Sequence, residues 1–89
     1  MQTSSETLVA LPPDVDLHAR PAATFVKAAM GFSSKLTVAS GEREADAKSL
    51  LAILALGAKR GTTLRLTADG DDAEAALDAL GSCVTGLTE

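Results

Sequence analysis

Alternation and helical spacing of apolar residues divide the chain into seven stretches. From Glu6 to Leu11, with Leu8, Val9 and Leu11 apolar, the pattern predicts a short first strand, which Pro12-Pro13-Asp14 ends. Met1 to Ser5 is polar and is expected to fray. After Pro21 the apolar positions Ala22, Val26, Ala29 and Met30 recur at helical spacing. They predict a helix from about Ala19 to Met30, closed by Gly31. Phe25, on the same stretch, is expected in the core or an interface. Lys35 to Ala39 alternates and predicts a strand, with a turn at Ser40-Gly41. Arg43 to Ala47 also alternates, but its residues are poor strand formers. Ser49 stands where an N-cap belongs, ahead of Leu50 to Leu56 and a closing Gly57. After a turn at Lys59-Arg60-Gly61, Thr62 to Thr67 alternates regularly, with Leu64 and Leu66 on one face. Asp69 to Asp72 breaks that strand. Ala73, Ala76, Leu77, Leu80 and Val84 then form a helical stripe to about Thr85, with Cys83 at its edge. Asp71 and Glu74 read as a start resembling a capping box.

The order β-α-β-β-α-β-α suits an α+β fold with helices packed on one face of an antiparallel sheet. Composition narrows the picture. Only Phe25 and Phe32 are aromatic, so the core must come from Leu, Val, Ile and Ala. Eighty-nine residues predict a single domain, 1–89. The net charge of −4 and the lack of a basic cluster argue against nucleic acid. One cysteine allows no internal disulfide and suits a reducing cytoplasm. No apolar run is long enough for a membrane span, and no signal-like pattern opens the chain.

Candidate chemistry gathers at Leu17 to Lys27. This stretch holds the only histidine, His18, two residues before Arg20 and three before Pro21. Proline fits the first turn of a helix, where its missing N–H has no partner to lose. His18 is therefore expected at or just before a helix N-terminus, with Arg20 in the first turn. Free N–H groups and the positive end of the helix dipole make this an anion site whose nucleophile is an imidazole. The dipole and Arg20 flank a ring whose nitrogen lone pair is a nucleophile. They would also stabilise a phosphoryl adduct, the dipole by about 0.3–1 kcal/mol and an arginine hydrogen bond by about 1.5–3 kcal/mol. A metal is not expected, since there is no second histidine and Cys83 has no ligand spacing around it. On the stretch after Ser49, the pairs Leu50 and Ile53, or Ile53 and Leu56, suit an inward face. Leu51 or Leu54 is then left towards solvent as a candidate docking patch.

The run Leu17 to Ala29, LHARPAATFVKAA, resembles the active-site segment of HPr, the histidine phosphocarrier of the bacterial sugar phosphotransferase system. Ala47 to Gly57 resembles that family's regulatory-serine helix, at a fitting separation. The resemblance implies an open-faced β-sandwich, a four-stranded antiparallel sheet with three helices on one face, and it places a hairpin at Lys35 to Ala47. It implies phosphorylation of His18 at Nδ1, with Arg20 stabilising the phosphate and no cofactor. Thr24, Lys27, Leu50, Leu51 and Leu54 are implied to meet partners, and Ser49 is implied as a target of a serine kinase. The implied function is a sugar-transport phosphocarrier, monomeric and cytoplasmic. It takes the phosphoryl group from enzyme I and passes it to IIA domains, as a relay rather than a turnover enzyme. The alternatives are a nitrogen-branch regulatory paralogue and a non-phosphorylated interaction module. The chain departs from the family where Asp16 replaces the usual glycine and Val15 the frequent asparagine. Asp16 is then expected to orient the imidazole, to repel a bound phosphate, or to lie solvated in the loop.

Overall fold

The computed structural model describes residues 4–88. Seven elements follow in the expected order: β1 (Ser4–Ala10), α1 (Ala19–Ala29), β2 (Lys35–Ser40), β3 (Arg43–Asp46), α2 (Leu50–Leu56), β4 (Thr63–Asp69) and α3 (Ala73–Thr85). The strands form one antiparallel sheet, ordered β1-β4-β2-β3. Period-two alternation fixes its faces. Thr7, Leu66, Val38 and Ala45 line up across the four strands on the inner face, beneath the helices. On the outer face Arg65 reaches Glu6 on β1 and Glu44 on β3. Both pairs are solvent-exposed, so they set the sheet's polarity more than its stability.

Strand β1 begins two residues earlier than the alternation of Leu8, Val9 and Leu11 indicates. Ser4 and Ser5 pair with Asp69 and Ala68 of β4, so a strand partner orders a segment with no apolar signal of its own. The rest of the stretch expected to fray, Met1 to Thr3, lies outside the described residues. Leu11 falls just past the strand, yet it is buried and its N–H donates to Thr62 O at 2.9 Å.

Helix α1 buries Pro21, Ala22, Phe25 and Ala29. Met30, assigned by spacing to the inward stripe, is 64% exposed. The helix ends at Ala29, and Phe25 takes the central core position instead. In α2 the buried pair is Ile53 and Leu56; the alternative pair, Leu50 with Ile53, is not used. Ser49 caps this helix, its Oγ accepting from Ala52 N–H at 3.2 Å, and Gly57 ends it at φ +65°.

Helix α3 buries the five residues of its predicted stripe. Its start differs. Asp72 takes the N-cap position but makes no side-chain cap bond. Its carboxylate instead crosses to the α1–β2 loop. Oδ1 accepts from Ser34 N–H at 2.9 Å and from the Ser34 hydroxyl, and Oδ2 accepts from Ser33 N–H at 2.8 Å. These donors, the Ser34 hydroxyl first and Ser33 N–H second, hold the Asp72 carboxyl down from 3.8 to about 2. A depressed folded-state value means that the unfolded chain binds the proton more readily. The bonds therefore stabilise the fold above about pH 4, and that contribution disappears as pH falls from 3.8 towards 2. Asp72→Asn is expected to flatten this acid limb of the stability curve, read as urea midpoint against pH. An unchanged slope between pH 4 and 2 would mean that another carboxylate governs acid unfolding.

Candidate active site

His18 takes the N-cap position of α1 with extended backbone angles, φ −149° and ψ 156°, and its side chain makes no cap bond. Its imidazole is exposed, beside Ala19, Arg20 and Pro21 in an open depression. Pro21 has no N–H to offer, so the free donors of this first turn are Ala19 N–H and Arg20 N–H. Ala19 adopts φ +48°, the one positive φ among the described non-glycine residues. A residue with a Cβ is strained there, by about 1–3 kcal/mol, and such strain persists only where the neighbours hold it.

Arg20 is exposed and takes part in none of the ion pairs among the described residues. Its guanidinium is free to meet an anion at His18. Thr24, one turn further along α1, shares with Arg20 a groove that continues to Ser82, Cys83 and Leu87 at the end of α3. Cys83 is half-buried in that groove, and burial pushes its thiol pKa up, so it is no ready nucleophile. Lys27 lies exposed in the last turn of α1. On α2, which packs beside α1, Leu51 is 81% exposed, Leu50 42% and Leu54 37%. Spacing leaves one or two leucines outward, and the helix presents three.

Lys48 braces this arrangement. Its Nζ donates to Phe32 O at 2.6 Å, joining the end of α1 to the approach of α2. The hydrogen-bonded partners of Asp16 were not legible from its neighbours in the chain. Its carboxylate accepts from Arg60 N–H at 2.7 Å and faces Arg60 Nε at 3.4 Å, across 44 residues of sequence. Neither hydrogen bonding to the imidazole nor a free solvated carboxylate describes it. The Arg60 N–H first, and its guanidinium second, hold the Asp16 carboxyl below the usual carboxylate range.

Among the described residues no group of three or more His, Cys, Asp and Glu side chains could hold a metal ion, and no helix is long and apolar enough to cross a membrane.

Residues 6–85 match the family described as the PTS HPr component phosphorylation site. The phosphocarrier protein HPr of Haemophilus influenzae is 46% identical over 71 residues, covering 80% of this chain and 84% of that protein. The crystal structure of HPr from Bacillus anthracis is similar at a TM-score of 0.87 and 33% identity, covering 92% of this chain and 98% of that one. An HPr from Thermoanaerobacter tengcongensis matches at a TM-score of 0.86 and 39% identity, with 90% of each chain covered. With an exposed histidine and a free arginine at the first turn of α1, in the matched span, the chain belongs to the HPr family of phosphocarrier proteins.

Proposed function

We propose that the chain is a cytoplasmic, monomeric phosphocarrier of the sugar phosphotransferase system. It accepts a phosphoryl group from enzyme I on Nδ1 of His18 and passes it to sugar-specific IIA domains. The carrying observation is the exposed imidazole at the start of α1, in a chain of the HPr family. The Nδ1 lone pair attacks phosphorus, and the bond from phosphorus to the donor breaks as the N–P bond forms. The two free amide donors and Arg20 then face a dianion at the positive end of α1. Transfer to a IIA domain reverses these steps. In this reading the protein is a stoichiometric relay rather than a turnover enzyme.

Incubation with enzyme I and phosphoenolpyruvate is expected to add the mass of one phosphoryl group, in an acid-labile and base-stable bond. A chain that stays unlabelled beside active enzyme I would end this reading.

The leucines of α2, together with Thr24 and Lys27 of α1, supply the docking surface in this proposal. Leu51→Glu places a charge in a surface that a partner must desolvate. Ser49 sits at the start of the same helix as a candidate kinase target. Phosphoserine there carries a charge of about −1.5 to −2, which the helix dipole tolerates and an apolar docking surface does not. Ser49→Asp keeps an N-cap acceptor. Both variants are expected to raise the KM of enzyme I for this protein about tenfold or more, with melting within a few degrees of the parent. Parental KM values in folded variants would place the docking surface elsewhere. Unfolding of Ser49→Asp would overturn the capping argument.

A further inference from the structure

The loop that carries His18 is joined to the turn after α2 by two adjacent bonds. Leu17, fully buried, donates its N–H to Ala58 O at 3.0 Å. Beside it, Arg60 N–H donates to Asp16 Oδ1 at 2.7 Å. The pair acts like two rungs of a strand ladder, with the Asp16 carboxylate standing in for a backbone carbonyl. The Arg60 guanidinium adds two longer contacts, from Nε at 3.4 Å and from Nη2 to Oδ2 at 3.5 Å. A further bond carries the anchorage into the site, since His18 N–H donates to Asp16 O at 2.9 Å. His18 is thus held by Asp16 on one side and by α1 on the other. The next residue, Ala19, keeps its positive φ between two such fixed neighbours.

We propose that Asp16 is a positioning residue: clasped to Arg60, it fixes the His18 backbone so that Nδ1 meets the phosphoryl group in line. The inference rests on the phosphocarrier reading above. It also accounts for a carboxylate two residues from an atom that is to carry a dianion. A loose carboxylate could swing towards the phosphate and repel it. Engaged by an amide and a guanidinium, it is directed to Arg60. The same Arg60 donors favour its charged form and hold its carboxyl below the usual range.

Asp16→Ala removes the acceptor. Asp16→Asn keeps an Oδ1 acceptor for the Arg60 N–H but loses the charge. Each full-length variant is assayed with enzyme I and phosphoenolpyruvate well below its melting temperature, with the carrier as varied substrate. Hydrogen exchange at the Leu17 amide is measured in parallel. Asp16→Ala is expected to lower kcat about tenfold with KM unchanged, because misorientation acts on the reacting atoms while α2 still docks. Its Leu17 amide should exchange about tenfold faster as the ladder opens. Asp16→Asn should recover most of both losses. Equal kcat losses in the two variants would overturn positioning in favour of a charge effect. Parental kcat in Asp16→Ala would also overturn the proposal. The exchange measurement needs no enzyme I: parental Leu17 protection in Asp16→Ala overturns the clasp even if the phosphocarrier reading has failed through an unlabelled parent.

Discussion

His18→Ala is expected to take up no phosphoryl group from enzyme I and phosphoenolpyruvate, and to melt as the parent does. The two halves of this result have separate causes. Loss of labelling is complete because the chain contains no second imidazole. The hydroxyl of Ser49 accepts from Ala52 N–H as a helix cap, and an O–P bond there would survive acid where an N–P bond does not. Retained stability follows from the side chain's surroundings. The imidazole is exposed and makes no cap bond, so its removal exposes no core and leaves no buried donor unpaired. Surface substitutions of this kind change stability by no more than about 0.5 kcal/mol. Arg20→Lys probes the neighbouring group. It keeps the charge but loses the planar fork of donors, and phosphotransfer is expected to slow about tenfold. Mass spectrometry reads the label and circular dichroism the melting curve. An acid-labile label on His18→Ala would overturn His18 as the acceptor. Unchanged transfer rates in Arg20→Lys would leave the phosphate to the backbone donors of Ala19 and Arg20.

The placement of the candidate site at the start of α1 was legible in the sequence because its determinants are local. His18, Arg20 and Pro21 lie within one turn, and the rule that admits proline there also places the free N–H groups. The cap at Ser49 and the left-handed Gly57 bound α2 for the same reason. Contacts between distant segments left no such trace. Spacing to Glu74 favours Asp71 at the start of α3, and only the meeting of Asp72 with the α1–β2 loop, 38 and 39 residues away, shows that Asp72 takes the N-cap position. Asp16 looked like a loop acid beside a histidine, and its partner lies 44 residues on. The extent of β1 depends on β4, which pairs with residues as polar as Ser4. Met30 shows a different gap. It is apolar and at helical spacing from the buried Ala22, but the end of α1 at Ala29 leaves it outside the packed face.

Gly70→Ala is expected to cost about 2–5 kcal/mol of stability, combining overpacking and backbone strain. At about 4–8 °C per kcal/mol for a domain of this size, the melting temperature should fall by about 10 °C or more. Gly70 joins β4 to α3 at φ +152°, a conformation that residues with a Cβ rarely adopt. A Cβ there would lie 2.6 Å from Ser34 Oγ and 2.8 Å from Ser34 Cα. Ser34 cannot yield easily. It is 1% exposed, and both its N–H and its hydroxyl are bound to Asp72. Relief of the clash would have to break the connection between the α1–β2 loop and the start of α3. The lesion lies at the opposite end of α1 from His18, a helix of 11 residues and so about 16 Å long. Below its melting temperature Gly70→Ala should therefore be phosphorylated at the parental rate. The second-site change Ser34→Gly removes the Oγ and Cβ that clash. It leaves the crowding against the residue 34 backbone and the strained φ, so it should restore only part of the loss. Melting of Gly70→Ala within about 2 °C of the parent would show that this turn relaxes freely, and that the Ser34–Asp72 connection does not hold the loop rigid.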